Sequence, residues 1–268
     1  MGKFDSGTIL ITGGSQGIGF GLARKYAYEG HDILLVSISR EELDTAYRLL
    51  VNEGVNTKIH TLEMDLSKKG SALEVYKYTK ENNLKVNVLI NCAGFGTYGF
   101  LKDIDKDIEL NMLYLHICSV YELTRLFLKD MLKQDYGYII NFSSITAFQP
   151  NPLMATYGAS KSFILQFSRA VSYELKEIGS NVKMTVVCPS AVSGTNFEIK
   201  ACMKNTHSFN SWLTLDVNSV VEQTYNGIKK GNEIIIPGRG FAIINSVLSI
   251  LPAKWRSKIA YYYLMEKV

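Results

Sequence analysis

Thr8-Ile9-Leu10-Ile11-Thr12-Gly13-Gly14-Ser15-Gln16-Gly17-Ile18-Gly19 is a short β-branched run that passes through a glycine-rich turn into a segment of helical period, Ile18 to Glu29. A strand feeding a helix through such a turn opens a βαβ unit. Gly13 permits the tight turn, Gly17 lets the backbone approach a pyrophosphate, and Gly19 permits close packing of helix on sheet. The helix N-terminus favours negative charge. Glycine loops also serve as plain turns, and it is the place between first strand and first helix that points to a dinucleotide. The spacing is GxxxGxG, not the commoner GxGxxG.

Outward from this turn, β-branched runs alternate with longer helical segments. Strands are expected at Thr8 to Ile11, Asp32 to Ser37, Thr57 to Glu63, Asn87 to Asn91, Tyr138 to Phe142, Lys183 to Cys188 and Glu233 to Ile236. Helices are expected at Ile18 to Glu29, Glu41 to Asn52, Ser71 to Asn82, Leu113 to Lys133 and Thr156 to Ile178, with Gly30 and Gly54 just past two of them. The pattern predicts an α/β chain: a single-domain Rossmann fold, a doubly wound parallel sheet of about seven strands with helices on both faces. No linker or repeat divides residues 1–268, and 47% hydrophobic content suffices for one core.

The charge, 29 basic against 25 acidic residues, is dispersed, so no nucleic-acid site is read from it. Cys92, Cys118, Cys188 and Cys202 lack metal-ligand spacing; no metal is expected, and reduced thiols suit a cytoplasmic setting. Met1 to Ser6 carries no apolar signal core, and no stretch reaches the roughly 20 apolar residues of a membrane span.

Tyr157-Gly158-Ala159-Ser160-Lys161 sets a phenol and an ammonium four residues apart, hence on one helix face. A nearby cation favours the phenolate and lowers its pKa, which would make Tyr157 an acid and base near neutral pH. On its own the spacing also fits a solvated helix.

Taken together the motifs resemble those of the short-chain dehydrogenase/reductase family, in order along nearly the whole chain. Thr12 to Gly19 resembles its TGxxxGxG loop, Asp65-Leu66 its adenine-contacting acidic position, and Asn91-Cys92-Ala93-Gly94 its NNAG segment with cysteine in second place. Asn111 matches the asparagine of the long fourth helix, and Ser144 stands thirteen residues before Tyr157, the family spacing for a catalytic serine. The resemblance implies hydride transfer between a nicotinamide cofactor and a ketone or secondary alcohol. It implies Tyr157 as proton donor or acceptor, Ser144 as partner of the substrate oxygen, Lys161 on ribose hydroxyls, and Asn111 holding a water linked to Lys161.

The resemblance also extends the cofactor site to Gly13, Ser15, Gln16, Gly17, Ile18, Gly19, Asp65, Leu66, Asn91, Ala93 and Gly94, with Tyr157 and Lys161. At the end of the second strand, family members that take NAD resemble one another in an aspartate; here Ser37 stands there, beside Ser39 and Arg40. That favours NADP over NAD, although Arg40 also reads as a surface charge before the Glu41 helix. After the sixth strand the family's Pro-Gly and threonine are replaced by Pro189-Ser190-Ala191-Val192-Ser193-Gly194-Thr195, leaving Pro189, Val192 and Thr195 as contacts for the nicotinamide amide.

Residues 190–213 resemble the family's mobile substrate lid. Phe197, Ile199, Met203, Phe209 and Trp212 read either as an apolar pocket wall or as anchors on the core. In the extension 239–268, the apolar run Phe241 to Leu251 precedes Lys254, Trp255, Arg256, Lys258 and Tyr261-Tyr262-Tyr263. This suits a membrane interface, a flap over a long substrate, or a subunit contact. The tail resembles a subgroup that includes ketosphinganine, long-chain ketoacyl and hydroxysteroid reductases, which implies a bulky apolar ketone or alcohol. Assembly as a homodimer or homotetramer through the two long helices is implied likewise. The alternative of a different class is a cofactor-binding sensor or scaffold of the same fold without turnover.

Overall fold

Side chains along the central strands alternate between two cores. The structure, a computed structural model, describes residues 7–201, 203, 206–209, 214–238, 240, 241, 248 and 250–265. The elements run β1 (Thr8–Thr12), α1 (Gly17–Tyr28), β2 (Asp32–Ser37), α2 (Arg40–Asn52), β3 (Ile59–Glu63), α3 (Ser71–Glu81), β4 (Val86–Asn91), α4 (Lys106–Leu113) and α5 (Val120–Lys133). They continue with β5 (Tyr138–Phe142), α6 (Ala155–Glu177), β6 (Lys183–Val187), β7 (Val192–Ser193), α7 (Asn196–Lys200), β8 (Leu215–Asp216), α8 (Val217–Lys229), β9 (Ile234–Ile235) and α9 (Ala253–Leu264).

Ile9, Ile11, Ile33, Leu35, Val88, Ile90 and Ile140 face one side, against Leu22 and Tyr26 of α1, Leu43 and Leu50 of α2, and Val221 and Tyr225 of α8. Leu10, Leu34, Val36, Leu89 and Ile139 face the other, against Val75 of α3, Phe127 and Met131 of α5 and Leu175 of α6. Burial on both faces explains why the strands read as unbroken apolar runs. The sheet is parallel, in the order β3-β2-β1-β4-β5-β6-β9. This is the single-domain, seven-stranded doubly wound architecture expected from the sequence.

Boundaries shift for local reasons. The helix expected at Leu113 begins at Lys106, because the Asp105 carboxylate caps it by accepting from the Asp107 and Ile108 amides at 2.8 and 3.1 Å. It runs into α5 through a π-helical turn, Tyr114–Ser119. The seventh strand shrinks to Ile234–Ile235 at the sheet edge. Helix α8, not foreseen, is capped by Asp216 and packs its buried face on α1.

Candidate active site

Strand order reverses between β1 and β4, and this reversal opens a crevice at the carboxyl ends of the strands. Thr12 fixes its base: its Oγ1 accepts from the Cys92 and Ala93 amides, both at 3.1 Å. The backbone there is too close-packed for side chains. A Cβ on Gly13, whose φ is +65°, would lie 2.8 Å from Ala93 Cα, and one on Gly19 would lie 2.2 Å from the Gly13 carbonyl oxygen. No side chain caps the start of α1, so its positive end faces the crevice.

The crevice is the near end of one cavity of about 570 Å³. Gly13, Ser15, Gln16, Gly17, Ile18, Gly19, Ser37, Asp65, Leu66, Ala93, Gly94, Pro189, Val192 and Thr195 line it, together with Asn111, Ser144, Tyr157 and Lys161. The close-packed cradle and the uncapped helix end at one side fit a dinucleotide, and the phenol and ammonium at the other fit its reacting ring.

The floor is built where β5 meets α6. The Ser143 hydroxyl donates to the Lys161 carbonyl at 2.7 Å, and Lys161 Nζ donates to the Phe142 carbonyl at 3.0 Å, so α6 is tied to the strand end by backbone and side chain. Leu153, two residues before α6, is held at φ +68°, a strained conformation for a bulky residue. Ser144 accepts from the Thr146 amide at 3.2 Å, and its hydroxyl lies beside that of Tyr157 in the cavity wall. Asn111, on the last turn of α4, also reaches the cavity.

The electrostatics differ from the expectation of a phenol acidified by its lysine. Burial pushes Tyr157 up to about 12, offset in part by the Ser144 hydroxyl beside it. Burial likewise pushes Lys161 down to about 8. The reason is geometric: the ammonium points at the Phe142 carbonyl and lies 5.6 Å from the centre of the Tyr157 ring, beside the ring face.

At the far end of the crevice the sequence missed a carboxylate. Glu42, on the first turn of α2, lines the cavity and accepts from Ser15 Oγ at 3.0 Å and from Gln16 Nε2 at 3.1 and 3.2 Å; with the Ser15 proton taken by the carboxylate, Ser15 Oγ accepts from the Ser37 hydroxyl at 2.9 Å. Ser39 and Arg40, expected beside the cofactor, are not brought to the cavity. Ser39 caps α2 by accepting from the Glu42 amide, and Arg40 turns outward to Asp44, Glu63 and Thr61. Asn91 is also drawn away, into a buried chain with Asn141 at 2.8 Å and Thr124 at 3.4 Å. The Asp65 carboxylate shapes its own turn, accepting from the Ser67 amide and hydroxyl at 2.9 and 2.6 Å.

The roof comes from remote segments. The Thr195 hydroxyl donates to the Val192 carbonyl at 3.1 Å, and Asn196 Nδ2 donates to Gln16 Oε1, bridging α7 to the start of α1. Phe197 packs against Tyr157 with ring centres 5.4 Å apart and planes tilted by 60°. Met112, Met154, Met203 and Leu264, with Phe95, Phe197 and Phe209 against them, form an apolar cluster around Tyr157. Phe197, Met203 and Phe209 are thus pocket wall, while Ile199 is exposed. Helix α9 closes the end: Tyr263 and Leu264 line the cavity, Arg256 donates to the Phe148 carbonyl, and the His207 amide donates to the Met265 carbonyl. Trp212, Cys202 and most of the run Phe241 to Leu251 lie outside the described residues.

Comparison with known proteins agrees with this geometry. The family model for short chain dehydrogenase matches residues 7–205. The chain belongs to that family. Among its curated relatives, very-long-chain 3-oxoacyl-CoA reductase of Anas platyrhynchos is 34% identical over 179 residues, 63% of this chain and 55% of the relative. Hydroxysteroid dehydrogenase-like protein 1 of Gallus gallus is 32% identical over 174 residues, 63% of this chain and 51% of the relative. In these matches the short-chain dehydrogenase chain spans about half the length of its relatives. Among solved structures, a short-chain dehydrogenase from Sphingobium yanoikuyae in complex with NADPH superposes with a TM-score of 0.80 at 26% identity, covering 90% of this chain and 92% of the other. Among the described residues no helix is long and apolar enough to cross a membrane, and no cluster of side chains could hold a metal ion.

Proposed function

We propose that this short-chain dehydrogenase interconverts a bulky, apolar ketone and its secondary alcohol with NADP(H). One observation carries the reading: the hydroxyls of Tyr157 and Ser144 meet on the floor of a cavity that has a dinucleotide cradle on one side and an apolar roof above. A bound nicotinamide would supply or accept the hydride. Ser144 would hold the substrate oxygen and stabilise charge developing on it. Tyr157, kept protonated at neutral pH by burial, suits donation of its proton to that oxygen, the direction of ketone reduction. Lys161 would bind ribose hydroxyls, and Asn111 a water linked to Lys161.

Support for a bulky substrate comes from the apolar cluster and from relatives whose names refer to very-long-chain 3-oxoacyl-CoA and hydroxysteroids. NADP(H) is supported by Ser37 at the end of β2, which offers a hydroxyl and no carboxylate to a 2′-phosphate. A second reading, NAD(H), is favoured by Glu42, whose carboxylate sits next to Ser15 and Ser37 and would repel that phosphate.

Homo-oligomer formation through α5 and α6 belongs to the same proposal. Their outer faces carry Tyr121, Phe163 and Phe167 in ring contact, and exposed Tyr173. Sedimentation of the native chain tests it. Contact of a cytoplasmic enzyme with a membrane surface would use α9, where Trp255, Ile259 and Tyr262 are exposed beside Lys254 and Lys258. Flotation with anionic vesicles tests that.

The deciding experiment is a screen of ketones and alcohols with NADPH, NADP, NADH and NAD, comparing the native chain with Tyr157→Phe. Reduction of long-chain or polycyclic ketones, abolished by the substitution, is expected. Turnover that survives Tyr157→Phe undiminished overturns the mechanism, and activity confined to small polar ketones overturns the substrate class. Tight cofactor binding without any turnover would establish the sensor or scaffold alternative.

A further inference from the structure

His116 lies on the π-helical turn between α4 and α5, fully buried, five residues after Asn111. Its Nδ1 is 2.9 Å from Ser160 Oγ, and Ser160 Oγ donates to the Tyr157 carbonyl at 2.7 Å. With the hydroxyl proton engaged there, the imidazole is the donor, which fixes the Nδ1–H tautomer and leaves a bare lone pair on Nε2. Nε2 is buried without a hydrogen-bond partner in the protein. It lies near the Lys161 ammonium: a single point beside Gly94, where a Cβ would stand, is 2.8 Å from His116 Nε2 and 3.5 Å from Lys161 Nζ. The opposite tautomer would set a proton on the nitrogen nearer a cation. Burial and the Lys161 charge also hold the ring well below its usual pKa, so it remains a neutral acceptor.

We propose that His116 is a positioning residue, whose Nε2 accepts a hydrogen bond from a water that Lys161 Nζ donates to, giving the ammonium a second anchor besides the Phe142 carbonyl. A buried acceptor left unpaired is costly, and a water between two polar groups satisfies both. No proton leaves by this route, because His116 is sealed from solvent; it orients and stabilises the charged lysine. The other titratable groups near Lys161 are Tyr157 on the same helix, Cys92 after β4 and Cys188 after β6, and burial keeps both thiols protonated near neutral pH, with values about 12.

The test compares His116→Phe, which keeps the ring volume, with His116→Gln, whose Oε1 can replace the acceptor. For His116→Phe, kcat should fall roughly tenfold at unchanged KM, the scale of a lost hydrogen bond to a charged group. The alkaline limb of its pH profile should move to lower pH, since the ammonium form has lost support, and His116→Gln should recover most of both. Wild-type kcat with an unmoved limb in His116→Phe overturns the proposal, as does equal loss in the two variants with the limb unmoved. Should either variant fail to fold, nitrogen-15 spectra of the histidines in the native chain decide: Nδ1–H with bare Nε2 is expected, and Nε2–H overturns it. The kinetic arm rests on the oxidoreductase reading, whereas the tautomer does not, so failure of one is separable from failure of the other.

Discussion

The floor and the roof of the cavity are built on different principles. The floor, from Phe142 to Lys161, is held by hydrogen bonds between neighbouring elements: Ser143 to the Lys161 carbonyl and Lys161 to the Phe142 carbonyl. The roof, from Phe197, Met203, Phe209, Tyr263 and Leu264, is held mainly by apolar contact between segments far apart in sequence. Directional bonds fix reacting atoms to within tenths of an ångström, whereas apolar contact fixes a volume and tolerates exchange of shape. The floor therefore suits chemistry and the roof suits substrate choice.

The largest expected effect breaks the floor. Tyr157→Phe removes the proposed proton donor, and turnover should fall by about 10³-fold while cofactor binding, measured by fluorescence titration, stays within a few-fold of native. An equal loss of binding would place Tyr157 in the cofactor site alone. Next in size is the roof. Leu264→Ala should lower stability by about 3 kcal/mol in denaturant unfolding, because a buried side chain leaves a cavity. It should raise KM for a bulky ketone more than it lowers kcat; a loss confined to kcat would erase the distinction between the two regions.

A third prediction tests the electrostatic cost of the floor. The unfolded chain holds the Lys161 proton up to the ordinary lysine value of 10.5, whereas the fold releases it near 8. Between those values the unfolded state binds more protons, so native stability rises with pH, and below about 8 the full cost of the buried charge is present. Lys161→Met should accordingly be more stable than native by on the order of 2 kcal/mol at pH 7, with the advantage fading toward pH 10.5. Thermal unfolding against pH reads this, and a difference that does not change with pH would refute it.

The smallest effect lies at the far end of the crevice, where hydrogen bonds meet solvent. Glu42→Gln removes a charge beside Ser37 and should shift the ratio of NADP to NAD affinity roughly tenfold toward NADP. An unchanged ratio would mean that Glu42 serves only to hold Ser15 and Gln16.

Much of the floor was legible in the sequence because its parts are local: a glycine turn between strand and helix, a tyrosine and lysine one helical turn apart, a serine at the end of a strand. The residues misplaced from sequence were those whose side chains had a choice. Arg40 could face the crevice or the carboxylates of Asp44 and Glu63, and took the carboxylates. Asn91 could face the cofactor or the sheet interior, and paired with Asn141. Glu42 and His116 carried no spacing signal, since their partners, Ser15 and Gln16 for one and Ser160 for the other, are separated from them by 26 or more residues.

The sequence by itself determined the doubly wound sheet, the cradle and the identity of the phenol, ammonium and hydroxyls, because period and close spacing act within one or two adjoining elements. Tertiary structure alone decided how those groups are charged, which polar side chains reach the crevice, and what encloses the cavity. Burial and the direction of a side chain depend on elements brought together from across the whole chain, and no local pattern encodes them.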